Sequence, residues 1–206
     1  MAFIDNLAYQ LLTLSFACFM LLYTVTSMYL IYRKKGKNFR EHLKSASVPI
    51  AMLGTYMIVT GLWGQFTWPL PGSYNILFYD PFISFGIILL AFSLTVKYEV
   101  RFEYLGFLGL MIGVMTILYG VEGYKIGLTK EPVALLAMYF LYGLAGIFSY
   151  PVSLIADKIT LPRIYARVWM GWIIMLVLFW LFLFAAGSLS ASVGIAAISQ
   201  HLISAP

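Results

Sequence analysis

Six long apolar runs, separated by short polar connections, constrain this chain more than any other feature of its sequence. We place the runs at about residues 7–32, 45–66, 81–96, 105–121, 133–150 and 168–186. A helix needs about 20 apolar residues to cross a hydrocarbon core of ~30 Å, and it satisfies its backbone polar groups internally. Only 10% of the 206 residues are charged, against about a quarter in an average soluble domain. The sequence therefore predicts an all-α integral membrane bundle of six transmembrane helices, forming one domain over residues 1–206.

Two acid–proline pairs mark the expected starts of the third and fifth helices. Asp80 precedes Pro81, and Glu131 precedes Pro132. An acidic side chain can cap a helix, and proline suits the first helical position because its missing N–H is not needed there. We therefore expect Asp80 to be the N-cap of the third helix and Glu131 the N-cap of the fifth.

Other boundaries are set by serine, proline and charge. We expect Ser45 or Ser47 to cap the second helix, with Pro49 in its first turn. Residues 97–104 alternate between charged and apolar side chains. We interpret them as a tight connection between helices, because a lone strand would have no pairing partner; a continuous helix emerging into water is the alternative. Pro151 is expected to end the fifth helix or to kink its last turn.

The tail, residues 187–206, is rich in Ser, Ala and Gly. It is too short and too interrupted to count as a seventh span. We interpret it as a frayed extension of the sixth helix, as an interfacial C-terminal helix, or as a surface that packs on a neighbour.

Glycines repeat along one face of the fourth helix and along one face of the fifth. Small residues at such spacings let helix backbones approach closely in lipid. The alternative is the general glycine richness of spanning helices, and neither reading implies chemistry. The predicted packing residues are Gly106, Gly109, Gly113 and Gly120 in the fourth helix, and Gly143 and Gly146 in the fifth.

Lys and Arg are distributed unequally between the two sides of the predicted membrane. Of the 13, only Lys125 and Lys130 lie in connections that follow an even-numbered helix, while residues 33–44 hold the largest group. The positive-inside rule places the basic connections in the cytoplasm. We therefore expect a multi-pass cell-membrane protein with both the N-terminus and the C-terminus outside. Because the basic cluster follows the first apolar run, we expect that run to remain as an anchor rather than to act as a cleaved signal.

Cofactor and catalytic chemistry find little support in the sequence. Haem in a helix bundle needs facing axial ligands, usually His, whereas His42 lies in the basic loop and His201 in the tail. Cys18 lies in an apolar span and is interpreted as a small buried hydrophobe. Met111 and Met115 are one turn apart, but two thioethers alone make a poor copper site. We expect no catalytic residue, no metal site and no cofactor.

The connection over residues 61–82 is the least ordinary segment, with prolines and aromatic residues but no Lys or Arg. Its polar groups include Gln65, Asn75 and Asp80, and Glu122 follows the fourth helix at the same predicted outer end. A charged group costs ~3 kcal/mol at the bilayer centre and is a functional candidate there. We hypothesise an outer-face polar site that binds a cation or a small polar solute. The alternative is a self-solvated Glu122 and an ordinary N-cap at Asp80.

The segment WPLPGSYNILF, residues 68–78, carries a resemblance. With this motif and the spacing of helices around it, the chain resembles a family of small polytopic membrane proteins from archaea and bacteria. The family has a WPLPGxYNxLF loop and is defined as a domain of unknown function. The resemblance implies a prokaryotic, archaeal-type membrane protein, and it implies no activity, cofactor or catalytic residue.

Two functions are compatible with this pattern. The first is a non-catalytic structural or accessory subunit of a larger prokaryotic membrane complex, for example a respiratory one, because the small-residue faces suit contacts with other helices. The alternative is a small transporter or channel with an outward-facing polar site near the Pro-Gly loop, the proline- and glycine-containing connection within residues 61–82. A membrane enzyme ranks third. Expected partners are the lipid bilayer and either other membrane subunits or further copies of the chain. No nucleic-acid partner is expected, because the orientation of the chain in the membrane accounts for its excess of basic residues.

Overall fold

The protein is all-helical throughout the residues that the structure describes. This computed structural model describes residues 6–35, 39–70, 72–129, 131–157 and 166–204, with side chains for 6–28, 30, 43–70, 72–129, 131–157 and 174–199. The helices are α1 (Asn6–Lys35), α2 (Phe39–Thr67), α3 (Ser73–Lys97), α4 (Glu103–Lys125), α5 (Pro132–Ala156) and α6 (Ala166–Ser204). Each contains a segment long and apolar enough to span a membrane. The predicted six-helix membrane bundle is confirmed.

The helices form a ring in chain order. Each packs on the next, and α6 returns to α1. The pairs α4–α5, α2–α3 and α1–α6 make the most extensive contacts, while α1–α2 and α3–α4 touch more sparsely. We call one end of the ring the Pro-Gly end, after the connection at 68–72, and the other the hinge end, after the connection at 98–102. The starts of α1, α3 and α5 lie at the Pro-Gly end.

α3 begins at Ser73, so the predicted start at Pro81 is wrong, and so is the interpretation of Asp80 as an N-cap. Gly72 has a φ of 56°, a left-handed conformation that glycine adopts without steric cost. It turns the chain directly into the helix, and the Asn75 N–H donates to the Gly72 carbonyl oxygen at 3.3 Å. Asp80 therefore lies inside a membrane-spanning helix.

α2 is also longer than predicted. It begins at Phe39, so the expected capping by Ser45 or Ser47 is wrong, and Pro49 lies in the helix interior. The Ser47 hydroxyl donates to the Lys44 carbonyl oxygen of the same helix at 2.8 Å. The helix thus extends into the basic segment, which the hydropathy pattern assigned to a loop.

α5 begins as predicted but ends later. Glu131 occupies its N-cap and Pro132 its first turn, although no side-chain cap hydrogen bond forms. The helix continues past Pro151 to Ala156. Proline is tolerated within membrane helices because neighbouring groups can satisfy the backbone atoms it leaves free.

The connection between α3 and α4 is short, as predicted, and contains no strand. It comprises residues 98–102. Glu99 has a φ of 57° and forms an ion pair with Lys44 at 2.7 Å. The first N–H of α4, that of Glu103, donates to Asp157 Oδ2 at 2.8 Å. The hinge end therefore links α2, α3, α4 and the end of α5.

α6 includes most of the residues that were predicted to form a separate tail. It continues to Ser204, and its candidate membrane span is Ile174–Ser199 rather than 168–186. Small residues bring this extension close to α1: a Cβ on Gly187 would lie 2.9 Å from Cys18 Cβ, and one on Gly194 would lie 3.2 Å from the Ala8 carbonyl oxygen. Of the three interpretations of the tail, the structure shows a helix extension, which is continuous through Ser204.

Candidate functional site

Asp80 joins three helices near the Pro-Gly end. Its Oδ1 accepts a hydrogen bond from Gln65 Nε2 on α2, and its Oδ2 accepts one from the Tyr119 hydroxyl on α4 at 2.7 Å. Ser84 donates to its backbone carbonyl oxygen at 2.8 Å. Hydrogen bonds to an ionised group are among the strong ones. Both carboxylate oxygens are engaged by the protein, which offsets the cost of placing this group within a span.

Asn75 fixes the Pro-Gly connection from inside. Its side chain is completely buried. Its Nδ2 donates to the Gly64 carbonyl oxygen near the end of α2 at 3.1 Å, and its Oδ1 accepts the Leu70 N–H at 3.3 Å. Buried polar groups are costly unless paired, and here the pairing holds the end of α2, the connection and the start of α3 together.

Glu122 lies on the exposed surface of α4 and pairs with Lys125 at 2.7 Å. Exposed ion pairs of this kind contribute ~0–1 kcal/mol. The structure joins Gln65 directly to Asp80, places Asn75 beside the same end of α2, and directs Glu122 to another partner. None of the four predicted polar-site residues lines the central cavity described below.

Pro81 leaves one carbonyl oxygen of α3 without its usual helical hydrogen bond, and α5 supplies a donor to that oxygen. Pro81 has no N–H, so it cannot donate to the carbonyl oxygen of Leu77 four residues earlier. The Tyr139 hydroxyl donates to that oxygen at 2.5 Å, and the bond is buried. The loss of a hydrogen bond within α3 is thus compensated by a hydrogen bond between α3 and α5.

The six predicted packing glycines lie at the contact between α4 and α5. A Cβ on Gly113 would lie 2.5 Å from the Gly143 carbonyl oxygen, and one on Gly146 would lie 2.7 Å from the Gly109 carbonyl oxygen. Gly106 faces the side chain of Ser153, and Gly120 faces the Cβ and Cγ atoms of Tyr139; both partners lie on α5. These faces are used within the chain, which removes one argument for assigning them to another subunit.

The ring surrounds a partly open cavity of about 160 Å³. Its lining on α5 extends from Met138 to Ala156, roughly 27 Å at 1.5 Å per residue. Phe85 and Ile88 of α3 face it, as does Ile112 of α4. The described residues that line it include no Asp, Glu, Lys, Arg or His. The described lining is elongated and mostly apolar, and it offers nothing to neutralise a charged group.

A second polar cluster links α1, α5 and α6 beside this cavity. The Tyr142 hydroxyl lies 2.8 Å from Ser190 Oγ, and the Cys18 thiol donates to the same hydroxyl at 3.7 Å. Cys18 and Ser190 are completely buried. The cluster supports the packing of three helices, and the lone thiol is enclosed by it.

Several residues that organise this region were not predicted from the sequence. Tyr119 and Tyr139 carried no local signal, because their partners lie on other helices. A signal did exist on α2, where Gly54, Gly61 and Gly64 fall on one face. A Cβ on Gly54 would lie 2.8 Å from the Gly86 carbonyl oxygen of α3, so this face brings α2 and α3 together.

Several predicted features lie outside the part that the structure describes. They are the side chains of the basic residues at 33–40, those of His42 and His201, Lys130, and the connection at 158–165.

Comparison with known proteins gives one match. No curated protein and no solved structure matches the chain. The model of the family DUF981, described as "Protein of unknown function (DUF981)", matches residues 1–204. The resemblance to a family of unknown function is thereby confirmed. The chain belongs to the DUF981 family.

Proposed function

We propose that this protein binds the hydrocarbon chain of a lipid-like molecule inside its ring of helices. The observation that carries the proposal is the cavity of about 160 Å³, whose described lining residues include no Asp, Glu, Lys, Arg or His. A wholly apolar cavity of about 150 Å³ can stay dry and bind a small apolar molecule, and most of the described residues that line this cavity are apolar. In a bilayer, such ligands surround the protein at high concentration.

The dimensions of the cavity favour a linear occupant. Typical sites for compact ligands enclose ~300–1,000 Å³, more than this cavity holds. Its smaller volume is spread over the length of α5 from Met138 to Ala156. A single extended acyl or prenyl chain follows that elongated shape better than a fused-ring molecule does, and the lining side chains must move apart to admit it along its whole length.

The test is photolabelling with hexadecane that carries a terminal diazirine, followed by peptide mapping of the purified protein. We expect labels on cavity-lining segments of α3 and α5. Ile112→Trp should fill the cavity and abolish those labels, whereas Met111→Trp should retain them because Met111 is 53% exposed on the same helix. Labels confined to exposed residues of the wild-type protein would overturn the proposal. Thermal unfolding of both variants confirms that each is folded.

A second proposal is that the chain serves as a non-catalytic accessory subunit of a larger membrane complex or as a homo-oligomer. An exposed small-residue face on α6, formed by Ser192, Ala196 and Ser199 on neighbouring turns, supports it. Such faces permit close helix approach. Capture of the tagged chain in mild detergent should return a stoichiometric partner that Ala196→Leu releases and Ile195→Leu retains. Capture of the wild-type chain alone, as a monomer, would exclude this role.

We further propose that the protein resides in a prokaryotic, archaeal-type cell membrane with both termini outside. The support is the charge asymmetry, with Lys125 and Lys130 as the only basic residues in the predicted outer connections. A reporter that is active only in the cytoplasm should be inactive when fused after Pro206. An active fusion would reverse the topology.

A further inference from the structure

A second hollow, here called the hinge groove, lies where α3 and α4 meet at the hinge end. It has a volume of about 680 Å³ and is more open than the central cavity. Its walls include Ala91 and Thr95 of α3, Leu105 and Leu108 of α4, and Arg101 in the connection between them. Among the described residues, Leu105 alone lines both hollows. The hinge groove is therefore a surface feature of the contact between α3 and α4, which is a sparse one.

The two ends of the hinge groove differ in polarity. Toward the middle of the helices its walls are Ala91 and Leu108, whereas toward the connection they are Arg101 and Tyr104, which are both exposed. Tyr is enriched where helices meet the headgroup layer, and Arg extends its charged head toward water from an apolar stem. The groove thus follows the change from hydrocarbon to headgroup within one leaflet.

Arg101 gives the hinge groove a positive charge that the described residues leave unneutralised. It forms no ion pair with any residue that the structure describes. Glu99 is the one acid in the described lining, and its carboxylate is paired with Lys44 at 2.7 Å. A guanidinium presents donors in a planar fork that matches the oxygens of a phosphate. The groove is therefore complementary to a phosphate headgroup.

Thr95 adds a buried polar group below the guanidinium. It is 8% exposed and lines the groove one helical turn before Glu99. Its hydroxyl makes no hydrogen bond within the described part of the chain, whereas those of Ser93 and Thr116 donate to carbonyl oxygens of their own helices at 3.1 and 2.8 Å. A buried polar group without a partner calls for an explanation such as a ligand. The glycerol-linked oxygens of a lipid in the groove would accept a hydrogen bond from this hydroxyl.

We propose that the hinge groove binds one anionic phospholipid, with its phosphate at Arg101, its glycerol oxygens at Thr95 and the upper part of one hydrocarbon chain against Ala91 and Leu108. The wall from Ala91 to Thr95 covers about 6 Å of helix at 1.5 Å per residue, so the rest of the chain lies in the bilayer. Basic pockets between transmembrane helices are typical sites for lipid headgroups. This site is separate from the cavity and does not depend on the proposed function.

The test is native mass spectrometry of the purified protein in detergent, titrated with palmitoyl-oleoyl phosphatidylglycerol or with palmitoyl-oleoyl phosphatidylcholine. Both lipids carry a phosphate, but only the second carries a cation that opposes Arg101. We expect the wild-type protein to bind phosphatidylglycerol about tenfold more tightly, the ratio that one charge-assisted hydrogen bond supplies. Arg101→Gln should remove most of this preference. Lys97→Gln deletes an equal charge from an exposed residue outside the groove lining, and should weaken binding by less than about threefold.

Two further variants test the lower part of the groove. Thr95→Val should weaken the binding of both lipids by about fivefold, the usual effect of one net hydrogen bond. Ala91→Trp should fill the apolar part and displace both lipids, whereas Leu94→Trp should retain them because Leu94 is 44% exposed on α3 and lies outside the groove lining. Thermal unfolding reports whether each variant is folded, and the comparison of Arg101→Gln with Lys97→Gln is decisive if Ala91→Trp is not. Equal binding of the two lipids by the wild-type protein, or equal losses from Arg101→Gln and Lys97→Gln, would overturn the inference.

Discussion

The hydroxyl of Tyr139 on α5 donates to the carbonyl oxygen of Leu77 on α3, at a distance of 2.5 Å. That oxygen is available because Pro81, four residues later, has no N–H. The bond lies at the cavity wall, which Tyr139 and Pro81 both line. It connects two helices that are not neighbours in the ring and so holds the cavity at a fixed width near the Pro-Gly end.

Tyr139→Phe should therefore destabilise the protein by about 1–3 kcal/mol, because it leaves the Leu77 carbonyl buried and unpaired. The measurement is the free energy of unfolding in mixed micelles of dodecylmaltoside and sodium dodecyl sulfate. Pro81→Ala restores the missing N–H of α3 and should reduce the cost of Tyr139→Phe in the double variant. Additive effects of the two substitutions would contradict this account.

Asp80→Asn should cost about 1–3 kcal/mol, because its new amide N–H₂ would face a donor from Gln65 or Tyr119. Glu122→Gln is the control on the exposed surface and should change stability by less than about 1 kcal/mol. Both values follow from the same micelle titration. Equal effects of the two substitutions would show that Asp80 does not join the helices as described.

Gly113→Ala should force α4 away from α5, since the added methyl would meet the Gly143 carbonyl oxygen and the Ile147 backbone N at 2.5 and 2.8 Å. Backbone atoms on both helices leave little room to adjust, so we expect a loss of about 1–3 kcal/mol. Ala137→Val, at an exposed position of α5, adds bulk toward the lipid and should be nearly neutral. Thermal unfolding in detergent separates the two, and an unchanged midpoint for Gly113→Ala would exclude the close packing.

Cys18 should resist thiol reagents in the folded protein. It is completely buried, and the thiolate required for reaction is disfavoured in apolar surroundings. Maleimide should label the protein readily in sodium dodecyl sulfate and only very slowly in dodecylmaltoside, as followed by intact mass. Rapid labelling in the mild detergent would mean that α1, α5 and α6 do not enclose the thiol.

The number of helices and their approximate positions followed from hydropathy, because the cost of an unpaired backbone group in lipid leaves a long apolar run few alternatives. The glycine spacing likewise identified the faces of α4 and α5 that now lie in contact. It did not identify the partner of each face. Periodicity reports which residues share a surface, whereas the identity of the opposing helix depends on the arrangement of the whole ring.

The boundary at Asp80 shows where local rules fail. An acid before a proline usually begins a helix, and Glu131 with Pro132 follows that rule. At Asp80 the distant donors Gln65 and Tyr119 allow the same pair to lie inside a span. The cavity was not predictable for a similar reason, since an empty space is bounded by side chains from separate helices.

The return of α6 to α1 has a consequence for biogenesis. As a nascent chain leaves the insertion machinery, α2–α3 and α4–α5 can each pair as consecutive hairpins, because each pair is adjacent in the chain. α1 makes its most extensive contacts with α6, the last helix to be synthesised. Synthesis therefore leaves an open arc that lipids can enter sideways, and the final helix seals it. A resident lipid would most readily be captured during assembly rather than after it.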